Sequence, residues 1–122
     1  FASDFKNVEN TTPSDLISSV LEIFDPKLHI FKVNKDVYIS IDEGMERQKQ
    51  ILAKMFSKYN TKFYFLTMND FYSAVDNFII DYNIDMMITI PKHQSNSTSL
   101  FKSSHTKRLA YHSHIPILAA HE

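Results

Sequence analysis

The sequence predicts an α/β domain built as a doubly wound, five-stranded parallel sheet with helices on both faces. Three observations lead there. Short runs rich in β-branched and aromatic residues alternate with stretches of helical period, in the order β-α-β-α-β-α-β-α-β. The strand candidates are nearly continuous in apolar character, as strands covered on both faces are. The 122 residues, 43 % of them apolar, suffice for one core and one domain spanning 1–122.

Phe1-Ala2-Ser3 reads as the tail of a strand ending at Asp4, so the chain is expected to begin part-way through its first strand. Thr12-Pro13-Ser14-Asp15 then opens a helix: Thr12 is suited to cap free N–H groups, Pro13 to the first helical position, and Asp15 to the positive helix end. That helix runs to about Phe24, with Leu16, Val20, Ile23 and Phe24 expected on the buried face and Ile17 and Leu21 alongside. Leu28 to Val33 is the second strand.

Asp42 and Glu43 precede a long amphipathic helix in which Met45, Gln48, Leu52, Met55 and Phe56 share a face, with Lys49, Lys54 and Lys58 expected to face water. Lys62 to Thr67 follows as a strand. Asn69 is the expected cap of the next helix, whose apolar positions Phe71, Ala74, Val75, Phe78 and Ile79 repeat up to about Tyr82. Asp85 to Ile90 is a strand, residues from about Ser103 to His112 a helix, and Ile117 to Ala120 the last strand.

Charge is unevenly spread. Between Met86 and His121 lie four basic residues (Lys92, Lys102, Lys107 and Arg108), five histidines and six serines, whereas all fourteen Asp and Glu residues fall outside. The remainder carries nine basic against fourteen acidic residues, although the chain as a whole is only −1. Such a window concerns local partners rather than fold. Ligands of doubly wound sheets bind beyond the carboxyl ends of the strands, here Asp4, Val33 to Lys35, Thr67 to Asn69, and the loop from Ile90 to Ser104.

Several chemistries are excluded or disfavoured. With no cysteine, thiol redox chemistry, disulfides and thiolate ligands are ruled out, and the composition fits a cytoplasmic location. No apolar run approaches the roughly 18 residues of a membrane span. The histidines tempt a metal reading, but no acid lies in their window, and His112 and His114 would flank Ser113 on an extended segment. Four basic residues make a modest nucleic-acid footprint. A phospho-receiver domain would want an acidic pair at the first strand end and Asp where Thr67 stands. No Gly-x-Ser-x-Gly, His-Glu-x-x-His or Walker pattern is present, so no enzymatic activity is expected.

The ends of the chain carry a family likeness. Phe1-Ala2-Ser3-Asp4-Phe5 before a capped helix resembles the end of the first strand of universal stress proteins, Asp85-Met86-Met87-Ile88 their fourth strand, and Pro116-Ile117-Leu118-Ala119 their final one. The resemblance implies a Rossmann-like, adenine-nucleotide-hydrolase-like fold and a stress-response domain, here as the C-terminal half of a tandem protein. ATP-binding members carry a glycine, two residues, a second glycine, nine residues, then Gly followed by Ser or Thr. The spacing is kept at Ile90, His93, Ser103 and Ser104, but every glycine is replaced.

Glycine lets backbone N–H groups approach phosphate with no side chain in the way. Its loss at three positions implies a domain that has given up glycine-based ATP binding. Such a domain acts through a homodimer or a tandem-domain partner at the last strand, without cofactor, nucleic acid or membrane. The alternative is a nucleotide sensor or weak ATPase that holds ATP or AMP with Mg through Asp4, Val33, Lys92, His93, Ser103 and Ser104. The plainer reading of the serines is that they cap a helix in a solvated loop.

Overall fold

The computed structural model describes residues 1–34, 43–67, 70–90 and 114–120. In chain order these form α1 (Val8–Thr11), α2 (Ser14–Phe24), β1 (Leu28–Asn34), α3 (Glu43–Met55), β2 (Thr61–Thr67), α4 (Phe71–Asp81), β3 (Met87–Thr89) and β4 (Ile117–Ala119). The result is a mixed helix-and-strand fold with parallel strands, as the α/β expectation requires. The expected helix from Ser103 to His112 lies outside the described residues.

Strand pairing differs from the expected five-stranded sheet. Among the described residues two two-stranded parallel sheets form instead: β1 with β2, in register from Leu28↔Thr61 to Asn34↔Thr67, and β3 with β4, from Met87↔Ile117 to Thr89↔Ala119. Phe1 to Ser3 pass between them. This segment makes one isolated parallel bridge, Ala2↔Phe31. The Phe31 N–H donates to the Phe1 carbonyl (3.0 Å) and the Ser3 N–H to the Phe31 carbonyl (3.0 Å). Toward β3 the Ala2 N–H donates to the Ile88 carbonyl (3.1 Å). The contact stays short because the chain turns sharply past Asp4, where Phe5 takes a left-handed φ of 57°.

The two-residue period of the strands sorts side chains into two cores. Leu28, Ile30, Ile88 and Ile90 join Ile17 and Leu21 of α2 and Leu52 and Phe56 at the end of α3. Phe31, Val33 and Met87 join Ala74, Val75 and Phe78 of α4. Helices α2 and α3 thus serve one set of strand side chains and α4 the other.

Several local expectations are corrected. In α2 the buried residues are Ile17 and Leu21, whereas Ile23 and Phe24 are 75 % and 61 % exposed and Leu16 is also exposed. Apolar residues occupy so much of this helix that its period leaves the phase open, and packing selects the Ile17–Leu21 stripe. Thr12 does not cap α2: its first flanking residue is Pro13, without a side-chain cap. At α4 the cap is Asp70, whose carboxylate accepts from the Tyr72 N–H (3.2 Å) and the Ser73 hydroxyl (2.8 Å). Such a cap is worth about 1 kcal/mol. The expected cap, Asn69, lies outside the described residues.

In α3, Leu52 is fully buried, and Met45 and Met55 pack at the margin of the first core. Gln48 Oε1 accepts the Val8 N–H at 2.8 Å, fastening the short helix α1, which has no sequence signature of its own. Lys49 is half-buried rather than fully solvated, its ammonium 5.6 Å from the centre of the Phe63 ring.

Candidate functional site

At the carboxyl end of the central segment, Ser3 and Asp4 form a tight turn. Ser3 is buried, and its hydroxyl oxygen accepts the Phe5 N–H (3.1 Å); Asp4 Oδ1 accepts the Lys6 N–H (3.0 Å). Both are short side-chain-to-backbone closures of the kind that shape turns. The left-handed Phe5 costs about 1–2 kcal/mol of backbone strain. It is held by burial of its ring, 5.1 Å from Phe65 and 6.2 Å from Phe63.

The register of the Ala2↔Phe31 bridge brings Asp4 level with Val33. Val33 is buried in the core beneath α4 and contributes bulk rather than a polar group. Ile90, at the end of β3, is 5 % exposed and packs in the first core with Phe1 and Phe5. The position expected to correspond to the first phosphate-loop glycine thus holds a side chain that the core uses. Lys92, His93, Ser103 and Ser104 lie outside the described residues, as do His105, His112 and His121.

A pocket among the described residues lies elsewhere. A cleft of about 670 Å³ opens at the amino ends of β1 and β3, walled by Leu21 and Phe24 of α2, Phe78 and Tyr82 at the end of α4, and Phe1. No sequence signal pointed to it, because its walls come from three separated stretches: Phe1, residues 20–31 and residues 78–88. One side is a cluster of aromatic rings: Phe78 lies 4.7 Å from Tyr82 and 4.8 Å from Phe31, and Tyr64 lies 4.6 Å from Tyr82.

His29 joins this cluster, its Nδ1 3.1 Å from the Tyr64 hydroxyl. Burial holds the His29 imidazole below its ordinary value, aided by the Phe1 amine, Lys62 and Lys27. Burial raises the Tyr64 phenol, and Tyr82 adds to the effect. The two shifts drive the groups toward neutral forms and further apart in acidity. The pair is thus a neutral hydrogen bond in an aromatic wall, not an acid–base couple poised near neutrality.

The Phe1 amine sits at the inner end of the cleft and donates to the His29 carbonyl. Burial alone lowers it from 8.0 to about 5. Among the described residues no group of three or more His, Cys, Asp or Glu side chains is placed to hold a metal ion. No helix there is long and apolar enough to cross a membrane. No protein-family model matches the chain, and no curated protein matches it.

Proposed function

We propose that the chain is a universal-stress-protein-like signalling domain, non-enzymatic, that works by binding a second copy of itself or a tandem-domain partner. In this reading Phe1 to Ser3 act as the central strand of a single five-stranded parallel sheet, ordered β2-β1-(1–3)-β3-β4. The glycine-based ATP site at the carboxyl end of that sheet is lost. The observation that carries it is Ile90: a buried core side chain at the phosphate-loop position removes the backbone freedom and space that a triphosphate needs.

Asp4 supports the same reading, since one of its carboxylate oxygens is already engaged by the Lys6 N–H. Titration calorimetry with ATP, ADP or AMP and magnesium is expected to show no saturable heat. Binding that vanishes in Ser104→Ala and Asp4→Ala would instead establish a nucleotide sensor using side chains in place of glycine backbone.

The surface assigned to partner binding is β4. Among the described residues it pairs on one side only, with β3, and Ile117, Leu118 and Ala119 are half-buried. An apolar strand edge of this kind is a template for pairing with another chain. Light scattering at micromolar concentration is expected to give twice the 14.2 kDa chain mass. A monomer throughout that range would rule out self-association through β4.

A further inference from the structure

Strand β2 offers a second edge, seven residues long where β4 has three. Among the described residues it pairs on one side only, with β1, in consecutive register from Thr61 to Thr67. That ladder fixes the direction of its backbone groups. The Leu28 N–H donates to the Asn60 carbonyl (3.1 Å), and in a parallel pair alternate residues turn both backbone groups toward the same neighbour. Lys62, Tyr64 and Leu66 therefore bond to β1, while Thr61, Phe63, Phe65 and Thr67 turn N–H and carbonyl outward.

Nothing in the segment blunts this edge. Strand edges are ordinarily protected by proline, by a bulge or by charges, but Thr61–Thr67 holds no proline, pairs with β1 without a bulge, and carries Lys62 as its one charged residue. Apolar surface stays open on both faces. Phe63 and Phe65 sit at the margin of the first core and Tyr64 and Leu66 at the margin of the second, all four only half-buried. A further strand beside β2 extends both cores at once.

The segment is complementary to itself when reversed. Antiparallel pairing about Tyr64 sets Thr61 opposite Thr67, Lys62 opposite Leu66 and Phe63 opposite Phe65 of a second copy, with the two Tyr64 residues meeting on the two-fold axis. The outward residues Thr61, Phe63, Phe65 and Thr67 then all fall in positions that exchange both backbone hydrogen bonds. Ring meets ring across the strands, and Lys62 faces no like charge. Moving the axis to Phe63 or to Phe65 leaves Thr67 or Thr61 opposite no strand residue.

We propose that the outer edge of β2 is a docking surface for a second copy of this chain, paired antiparallel through Thr61–Thr67 about a two-fold axis at Tyr64. Each copy presents the same patch, as an isologous interface requires. Built mainly from one strand of each copy, the contact belongs with small, reversible interfaces. It is independent of what pairs with β4.

Amide hydrogen exchange, followed by NMR at protein concentrations of about 20 µM and about 1 mM, tests it. At the higher concentration exchange is expected to slow at least threefold at Phe63 and Phe65, while Tyr64 and Leu66, bonded to β1, are protected at both. Thr61→Lys combined with Thr67→Lys opposes like charges at both ends and is expected to abolish the concentration effect. Thr61→Lys combined with Thr67→Glu opposes unlike charges and is expected to retain it. Both variants lose the Thr61 hydroxyl bonds to the Phe56 and Tyr59 carbonyls, so that loss cancels in the comparison, and protection at Tyr64 and Leu66 reports that each is folded. Exchange at Phe63 and Phe65 that ignores concentration, whether fast or slow throughout, would overturn the proposal. Loss of the effect in both double variants would overturn the antiparallel register. Slowing at Leu118 without slowing at Phe63 and Phe65 would sink the β2 interface and leave self-association through β4 standing.

Discussion

A 122-residue polypeptide that carries a free amine at Phe1 is expected to lose up to about 4 kcal/mol of stability between pH 8 and pH 5. The cause is the Phe1 amine, which is charged below 8.0 when the chain is unfolded but resists protonation down to about 5 when folded. Across that window the unfolded state holds more protons, so stability rises with pH. It is fully present above pH 8, falls as the pH drops toward 5, and reaches its floor below that. His29 adds in the same direction at the acidic side, because its folded value lies below the ordinary 6.5.

Total stabilities of small domains are about 5–15 kcal/mol, so a loss of this size is large. Urea denaturation at pH 8, 6.5 and 5 measures it. Acetylation of the Phe1 nitrogen keeps an N–H donor to His29 and removes the charge, and is expected to flatten the profile. A profile equally steep with and without the acetyl group would assign the pH dependence elsewhere.

The second large effect is expected from Phe56→Ala, at about 3–5 kcal/mol. Phe56 is fully buried in the first core, and its ring meets that of Phe1 edge-on, with centroids 6.0 Å apart. Its backbone is also a junction: its carbonyl accepts from the Tyr59 N–H (3.0 Å) and the Thr61 hydroxyl (3.2 Å), which turn the chain from α3 into β2. Truncation leaves a cavity that several elements line and that none can close alone. Phe56→Leu, which keeps most of the volume, is expected to cost far less. If urea midpoints place Phe56→Ala within 1 kcal/mol of the parent, the packing ascribed to this ring is wrong. The exposed ion pair Lys58–Glu22, at 3.8 Å, is by contrast worth close to nothing.

The elements were legible where one signal dominated. Leu28-His29-Ile30-Phe31 reads as a strand because four β-favouring or aromatic-like residues follow Asp25-Pro26, and the structure extends it by one residue to Asn34. Helix α3 was legible in most of its face, since Arg47 and Lys54 mark the solvent side, although Ile51 also packs against the first core. Helix α2 was legible as a helix but not in phase: six apolar residues between Leu16 and Phe24 satisfy more than one stripe. Its orientation depends on contacts with Leu28 and Ile88, which no local pattern reports.

The same distinction separates the two candidate sites. Asp4 and Val33 at the carboxyl ends were nameable because strand ends follow from strand positions, and the structure brings them level. Ile90 stood out only through the family resemblance, and that its side chain belongs to the core is a matter of packing. The amino-end cleft was not legible at all. Its aromatic wall joins His29, Tyr64 and Tyr82, each unremarkable in its own segment.

The parallel pairing sets the order in which the molecule can assemble. Leu28 meets Thr61 and Met87 meets Ile117, partners thirty-three and thirty residues apart along the chain. Neither ladder can start from a tight turn; each must wait until the intervening chain has closed a long loop. Contacts this distant slow folding relative to helical bundles of similar size. Until those loops close, the strand edges stay unpaired, and they are the part of the folding chain most open to association with other chains.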